Sequence, residues 1–333
     1  MFDPSMDKRF TVVELFAGAG GLALGLHKAG LKATHLIEIE KNFCETLKHN
    51  MPEWNVLCED VSNFDFSNIK ADVVTGGFPC QAFSYAGKKL GFEDTRGTLF
   101  FDFARAIKEI QPLIFVGENV AGLVSHDKGR TLKTMLKILK EDLDNYNVQY
   151  KVLNAVNFSV PQKRQRIFII GTKKGIKFEF PPEHEKIVPL RKALKNVPSS
   201  PGSSYSEKRK KVLDLVPPGG CWINLPEDVK IEFMGKSINS GGGKRGMARR
   251  MSWDEPSLTL TTSPSQKQTE RCHPEETRPF TVREYARIQT FPDNWEFKGT
   301  ITSQYKQIGN AVPVKLAEEI GKALIKALEE FNS

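Results

Sequence analysis

The first half of the chain alternates between short apolar runs and amphipathic segments. β-Branched and aromatic residues dominate the runs, which predicts buried strands, and apolar residues recur every three or four positions between them, which predicts helices. The predicted strands are residues 10–16, 35–39, 56–57, 73–74 and 113–116. The predicted helices are residues 22–29, about 42–49, about 99–110 and about 131–143. This alternation predicts an α/β fold with a doubly wound, mostly parallel sheet.

Two further patterns extend this prediction beyond the alternating part. Strands near residues 150–152 and 167–170 are expected to pair with each other, and residues 314–331 form an amphipathic helix.

Residues 172–277 have a different composition. They hold 11 of the 19 prolines, and they carry 19 Lys and Arg against 13 Asp and Glu, an excess of 6 within the chain's net charge of +8. Periodicity fades there, which predicts a smaller, loop-rich domain. The positive excess suits a polyanionic partner, although such an excess is more often just a solvated face. We therefore divide the chain into residues 1–171, 172–277 and 278–333.

Composition excludes several classes of protein. The 333 residues are 39% apolar and 26% charged, as in a globular protein, and no run reaches the ~18 apolar residues that cross a bilayer. Residues 1–10 are charged rather than signal-like, so we expect a cytoplasmic protein without membrane contact. The five cysteines are scattered and contain no CxxC pair, which argues against a disulfide framework and a zinc site.

A loop with a single cysteine follows the strand at residues 73–74. The run breaks into Gly76-Gly77 and then Pro79, which predicts a rigid loop at the carboxyl end of the strand, where open α/β sheets bind ligands. Pro79 restricts the backbone before Cys80 and positions this thiol as a candidate nucleophile. A lone cysteine is more often a small core residue, so this interpretation depends on the other motifs.

A glycine-rich turn at residues 16–21 follows the first strand and predicts a cofactor site. Glu38, at the end of the next strand, is placed to accept hydrogen bonds from ribose hydroxyls. The dinucleotide spacing GxGxxG is absent, which disfavours a pyrophosphate cradle. Asp60, after the third strand, could bind an adenine amino group, and together these features favour S-adenosylmethionine over NAD.

These motifs occur in a specific order. The chain resembles the bacterial DNA (cytosine-5)-methyltransferases of restriction-modification systems over nearly its whole length. Each block alone could arise by chance, but the ordered series is specific. The matching blocks are residues 16–21, 38, 60, 77–81, 96–100, 118–120, 162–166, 278 with 281–287, and 307–313.

The resemblance implies a Rossmann-like methyltransferase fold that uses S-adenosyl-L-methionine and no metal. The helix at residues 314–331 is expected to complete this fold, and Asn310 to close over the cofactor. The catalytic residues that it implies are Cys80, Glu118, Arg164 and Arg166. The implied cofactor-binding residues are Phe16, Ala17, Gly18, Gly20, Gly21, Leu22, Glu38, Ile39, Asp60, Val61, Pro79, Leu99, Asn310 and Val312.

The chemistry of cytosine explains the implied catalytic residues. Carbon 5 is a poor nucleophile, so a thiolate must first add to carbon 6, a step for Cys80. Glu118 can share a proton with N3 and Arg166 can point at O2, where charge develops. Alternation along residues 164–170 predicts that Arg164 and Arg166 share one face of a strand, with Arg164 supporting loop geometry or phosphate. Asn119 is expected to brace the loop.

Duplex DNA is the expected partner. The target cytosine must leave the base stack to reach Cys80, and residues 81–97 have the glycines and positive charge of a lid. Sequence recognition is assigned to residues 172–277, where residues 257–262 resemble the Thr-Leu element of the family's target-recognition domains. The predicted DNA-binding residues are Gln81, Ser84, Lys88, Lys89, Arg96, Lys244, Arg245, Arg249, Arg250 and Thr259.

Other interpretations stay open at this point. A C5 methyltransferase of the same fold that acts on tRNA shares the Pro-Cys loop, but the long basic insert favours duplex DNA. A DNA-binding module without catalysis would be expected to carry a broken motif, and none is seen; an NAD-linked dehydrogenase is less favoured still. We expect a monomer in the bacterial cytoplasm. A cognate restriction endonuclease acting on the same site without direct contact is compatible with the resemblance.

Overall fold

The structure is a computed structural model that describes residues 10–79, 99–184, 186–239 and 246–333. Its internal contacts divide the chain into two compact units. The first comprises the described residues up to Asn154, together with Gln165–Glu183 and Val314–Ser333. The second comprises Ala155–Arg164 and the described part of His184–Pro313.

A seven-stranded sheet forms the centre of the first unit. Its strands are β1 (Thr11–Leu15), β2 (Lys32–Glu38), β3 (Val56–Cys58), β4 (Val73–Gly76), β5 (Ile114–Val120), β6 (Tyr146–Asn154) and β8 (Gln165–Lys173). Their order across the sheet is β3-β2-β1-β4-β5-β8-β6. The first five strands in this order are parallel, and β8 is antiparallel to both β5 and β6. The predicted mostly parallel sheet is thereby confirmed, as is the pairing of the last two strands.

Helices cover this sheet and lie close to their predicted positions. The α-helices of the first unit are α1 (Gly21–Ala29), α2 (Lys41–Asn50), α3 (Leu99–Ile110), α4 (Arg130–Glu141) and α10 (Val314–Asn332). Phe100, Phe103 and Ile107 on one face of α3 are buried in the same apolar cluster as strand residues such as Val13 and Val74. Short 3-10 helices span Val61–Asn63, Ala121–Val124 and His126–Gly129.

Two glycines allow α1 and α10 to approach closely. A Cβ atom on Gly25 would lie 2.3 Å from the Cβ of Ala317, and one on Gly321 would lie 2.6 Å from the Cβ of Ala29. Both separations are far below van der Waals contact, so side chains at these positions would force the helices apart. The C-terminal helix therefore belongs to the first unit.

The second unit is built from short elements. A small apolar cluster contains Tyr205, Leu213, Val216, Leu225, Ala248 and Cys272. Its strands, β7 (Gln162–Lys163) and β9 (Ser257–Leu258), form a parallel pair. Its α-helices are α5 (Leu190–Ala193), α6 (Glu207–Leu213), α7 (Glu227–Met234), α8 (Val282–Ile288) and α9 (Ile301–Asn310), and its 3-10 helices are Ala155–Phe158, Trp222–Asn224 and Gly235–Asn239.

The two units have different bounds from the predicted domains 1–171, 172–277 and 278–333. Residues 278–313 belong to the second unit, where Gln289 donates to the Ile308 carbonyl at 2.7 Å and pairs with Gln162 at 2.8 Å. Residues 172–183 belong to the first unit, since β8 runs as far as Lys173. Among the described residues, none of the helices has both the length and the apolar character that a membrane span requires.

Candidate active site

The loop after β4 is anchored in the core of the first unit. The Phe78 side chain is buried, and its ring lies 5.4 Å from the rings of both Phe100 and Phe103. Pro79, the next residue, is exposed. The predicted strand and loop are therefore present as far as Pro79, whereas Cys80 lies outside the described residues and its role as nucleophile stays a prediction.

An ion pair between two strands lies beside this loop. Arg166 Nε, on β8, is 2.9 Å from Glu118 Oε1, on β5, and both side chains are nearly nine-tenths buried. A Cβ atom on Gly77 would lie 3.0 Å from Glu118 Oε2, so the carboxylate sits directly over the loop. Burial lowers the pKa of Arg166, while the charge of Glu118 opposes this shift. The pair thus holds a carboxylate and a guanidinium together in a largely dry environment.

Asn119 links the end of β5 to the loop. Its Nδ2 donates to the Phe78 carbonyl at 2.7 Å, and its Oδ1 accepts from the Val120 amide at 2.8 Å. Both groups of the amide side chain are therefore engaged, which fixes its orientation. The prediction that Asn119 braces the loop is confirmed.

The glycine-rich turn closes over the carboxylate of Glu38. Gly18 N donates to Glu38 Oε2 at 2.8 Å, and Glu40 N donates to Oε1 at 2.9 Å. Burial raises the pKa of Glu38, whereas the donated hydrogen bonds lower it. Gly18 and Gly20 have φ angles of 57° and 84°, which glycine adopts without strain. The turn therefore needs glycine to bring its backbone onto the carboxylate.

The other predicted cofactor residues of the first unit surround this turn. Phe16 has a φ of 57°, Ala17 is buried and donates its amide to Ile37 O at 3.1 Å, and Gly21 and Leu22 begin α1 as buried residues. Ile39 is 61% exposed, so it offers an apolar surface next to Glu38.

Two more of these residues lie after β3, and one begins α3. Asp60 Oδ1 accepts from Ser62 N and caps the 3-10 helix in which Val61 is buried. Leu99, the first residue of α3, is half-buried. The exposed apolar side chain of Ile39 and the close backbone turn over Glu38 fit an adenosine group. Asn310 and Val312 lie in the second unit, where Asn310 is exposed and Val312 buried.

One buried carboxylate near the turn is not among the predicted site residues. Glu14, within β1, is only 3% exposed, and among the described residues its Oε2 has no hydrogen-bond partner. Burial raises the pKa of Glu14 well above its usual value; the Ala23 amide, which donates to it, lowers the pKa, and Glu38 raises it. The signal in the sequence was an acidic residue inside the apolar run at residues 10–16.

The predicted shared strand face of Arg164 and Arg166 is wrong. Arg164 lies between β7 and β8, is fully buried and belongs to the second unit. Its Nη1 donates to Leu260 O at 3.0 Å, and its Nη2 donates to Gly309 O at 2.8 Å. Such a residue supports loop geometry, one of the two roles foreseen for it, and its guanidinium is not exposed to a substrate.

The prediction that Arg250 contacts DNA is also wrong. Its side chain is 4% exposed and donates to the carbonyls of Val216, Leu213 and His273 and to the hydroxyl of Thr277. The guanidinium donates its hydrogen bonds within the second unit, because buried carbonyls need donors.

Burial does not exclude the other predicted DNA-binding residues from contact with DNA. Arg249 is half-buried, and Thr259 donates through its hydroxyl to Lys163 O at 2.7 Å. Gln81, Ser84, Lys88, Lys89, Arg96, Lys244 and Arg245 lie outside the described residues.

The described part of the chain contains no cluster of three or more His, Cys, Asp or Glu side chains that could hold a metal ion. Since other residues lie outside that part, the expected absence of a metal stays a prediction.

Known proteins resemble this chain over almost all of its length. The family model for C-5 cytosine-specific DNA methylases matches residues 10–326. The type II methyltransferase M.Eco47II of Escherichia coli is 57% identical over 97% of this chain and 80% of its own length. M.Sau96I of Staphylococcus aureus, another type II methyltransferase, is 54% identical over 98% of this chain and 78% of its own length.

Solved structures resemble it in fold. A prophage-encoded DNA modification methyltransferase of E. coli is 26% identical, with a TM-score of 0.70 over 96% of this chain and 99% of that protein. DNMT2 of Spodoptera frugiperda, at 18% identity, shares the fold with a TM-score of 0.68 over 95% of this chain and 99% of that protein. With the family model and the close relatives, these matches show that the chain belongs to the C-5 cytosine-specific DNA methylases, enzymes that methylate carbon 5 of cytosine in DNA.

Proposed function

We propose that this protein is the modification methyltransferase of a restriction-modification system, which transfers the methyl group of S-adenosylmethionine to a flipped-out cytosine in a specific duplex sequence. The observation that carries the proposal is the Glu118–Arg166 ion pair, at 2.9 Å, against the loop that leads into Cys80. The names of M.Eco47II and M.Sau96I as type II methyltransferases support the same function.

Each group beside the loop has a role in the proposed reaction. The Cys80 thiolate adds to carbon 6, and electrons move through the ring toward N3 and O2. Glu118 holds a proton at N3, and Arg166 both orients this carboxylate and lies beside O2. Asn119 keeps the loop in place through the Phe78 carbonyl. After transfer, a base removes the carbon-5 proton and Cys80 leaves by β-elimination.

S-adenosylmethionine supplies an electrophilic methyl group when it is bound. We assign its ribose to Glu38 and its adenine to the surface formed by Ile39 and Asp60. Gly18 and Gly20 let the turn approach the ligand closely, since a side chain at a positive φ would strain the backbone. The remaining cofactor residues, including Asn310 and Val312, keep their predicted roles.

Recognition of DNA is assigned to the basic residues of the second unit and to residues 81–97. Arg249, Thr259, Lys244 and Arg245 are candidates for base or phosphate contacts, whereas Arg250 is no longer one. A target base inside a duplex is out of reach of Cys80, so the proposal requires base flipping. A monomeric enzyme, and an endonuclease that cuts the same site, remain parts of this proposal.

Methylation assays on two substrates test the proposal. Purified protein is mixed with labelled S-adenosylmethionine and either genomic DNA or bulk tRNA, with the Cys80→Ala variant as control. We expect label in DNA only, at a defined site that bisulfite sequencing identifies. Label in tRNA alone would support the RNA enzyme instead, and label in DNA with the Ala variant would remove the covalent step.

A further inference from the structure

Two cysteines lie next to the carboxylate assigned to the ribose. The Cys44 thiol, in the first turn of α2, donates to Glu38 O at 3.3 Å, and the Cys58 thiol, at the end of β3, lies 3.9 Å from Ile39 O. Glu38 and Cys58 are register partners in neighbouring strands. The two thiols therefore contact consecutive carbonyl groups of one short segment.

The two thiols differ in exposure, since Cys44 is buried and Cys58 is exposed. Burial raises the pKa of Cys44 well above its usual value, and the neighbouring Cys58 raises it further. Among the cysteines that the structure describes, Cys58 is the one that a solvent oxidant can reach first, since Cys221 and Cys272 are buried.

We propose that Cys44 and Cys58 form a redox-sensitive dithiol, which a peroxide converts into a disulfide that weakens S-adenosylmethionine binding at Glu38. This regulation rests on the proposed function of Glu38. The Cys58 thiolate attacks one peroxide oxygen, so that the O–O bond breaks and a sulfenic acid and hydroxide form; the hydroxide takes up the proton that the Cys58 thiol released and leaves as water. The Cys44 sulfur then displaces the hydroxyl group as a second water, with loss of its proton, and the S–S bond forms. Two thiols are oxidised and one peroxide is reduced.

The disulfide changes the support of Glu38 in two ways. It removes the S–H donor that Cys44 gives to Glu38 O. Because an S–S bond of about 2.0 Å is shorter than any non-bonded sulfur contact, the first turn of α2 and the end of β3 must also move together. The Glu38 main chain adjoins both, as the acceptor of Cys44 and the register partner of Cys58, so its carboxylate, which accepts from the Gly18 amide at 2.8 Å, is displaced from the turn.

The test uses the full chain with Cys80→Ala, so that the proposed nucleophile cannot be oxidised. The protein is treated with hydrogen peroxide, and peptide mass spectrometry and calorimetric titration with S-adenosylmethionine follow. We expect a Cys44–Cys58 cross-linked peptide and a Kd raised at least about fivefold, the equivalent of ~1 kcal/mol or one lost hydrogen bond. Dithiothreitol should reverse both changes. Adding Cys58→Ser should abolish both, whereas the matched control Cys221→Ser should behave like its parent.

The possible failures are distinguishable. Oxidation of Cys58 without a cross-link to Cys44 would overturn the dithiol. A cross-link with unchanged affinity would overturn its connection to the cofactor. If reduced protein does not bind S-adenosylmethionine, the proposed function fails and the regulation with it, although the cross-link itself is still measured.

Discussion

Glu118→Gln separates a catalytic role of this carboxylate from a structural one. In the wild-type protein Arg166 Nε is 2.9 Å from Glu118 Oε1. The Gln side chain keeps the shape of Glu and an oxygen that can accept from Arg166 Nε, but it removes the negative charge. A hydrogen bond that involves a charged group contributes roughly 1.5–3 kcal/mol and a neutral one about 0.5–1.5 kcal/mol. Since Arg166 keeps its own charge, we expect the free energy of unfolding to fall by only about 1 kcal/mol.

The effect on catalysis should be larger than the effect on stability. Gln cannot hold and return a proton at N3, so methyl transfer should slow by about 10²–10⁴-fold, the usual contribution of general acid–base catalysis. This range corresponds to about 2.7–5.5 kcal/mol of activation free energy. Glu118→Ala is the contrasting variant, because it leaves the Arg166 guanidinium nearly buried without its carboxylate and should cost ~3–5 kcal/mol of stability.

Three measurements test this reasoning. Single-turnover methyl transfer is measured with saturating DNA, affinity for S-adenosylmethionine by calorimetry and stability by urea unfolding. We expect the Gln variant to bind the cofactor with nearly wild-type affinity. Turnover above a tenth of the wild-type rate would refute the proton-transfer role, and a collapse of cofactor binding would assign Glu118 to the cofactor site instead.

Five other substitutions test the remaining assignments. Cys80→Ala should leave folding and cofactor binding intact but reduce methyl transfer to below about a hundredth, a loss of more than ~2.7 kcal/mol; a faster rate in a filter-binding assay rejects the nucleophile. Asn119→Ala removes the donor to a buried loop carbonyl and should lower the unfolding free energy by about 1–3 kcal/mol in urea titrations, so unchanged stability contradicts the brace. Arg250→Ala should destabilise by at least about 2 kcal/mol while leaving the salt dependence of DNA binding unchanged, whereas Arg249→Ala should leave stability within about 0.5 kcal/mol. Glu14→Gln tests the raised pKa of Glu14. The protonated Glu14 carboxyl contributes its full stability below the unfolded pKa of about 4.3, and wild type loses this contribution at ~1.4 kcal/mol per pH unit as the pH rises toward the folded pKa. The Gln variant should therefore gain stability relative to wild type above about pH 5, and parallel curves of unfolding free energy against pH would refute this.

The ends of the parallel strands were predictable from the sequence. In β2 and β5 a short apolar stretch precedes Glu38 and the Gly117-Glu118 pair, and in β4 it precedes Gly76. Parallel strands bring their carboxyl ends to one edge of the sheet. Glu38 and Glu118 therefore lie where their positions after apolar runs indicated. The partner of Glu118 was harder to find, since β8 comes from a part of the chain nearly 50 residues later and is antiparallel.

Arg164 shows why local alternation failed. Alternation over residues 164–170 predicted one strand, but the chain passes from one unit to the other between Arg164 and Gln165. The acceptors that hold Arg164 are carbonyls of Leu260 and Gly309, roughly 100 and 145 residues away. No local pattern reports on such partners, because a buried carbonyl attracts a donor whatever its distance along the chain.

Part of the positive charge of residues 172–277 is buried and cannot contact DNA. Arg250 and Arg271 contribute to the positive excess of residues 172–277, yet both are at most 5% exposed. Arg271 donates to the carbonyls of Thr259 and Glu270, and Arg209 is 2.7 Å from the buried carboxylate of Glu270. The planar guanidinium suits such buried contacts, because it offers several donors in a fixed arrangement. Part of the positive charge in this segment thus stabilises the second unit, and the charge count is an upper bound on the number of phosphate contacts that residues 172–277 can make.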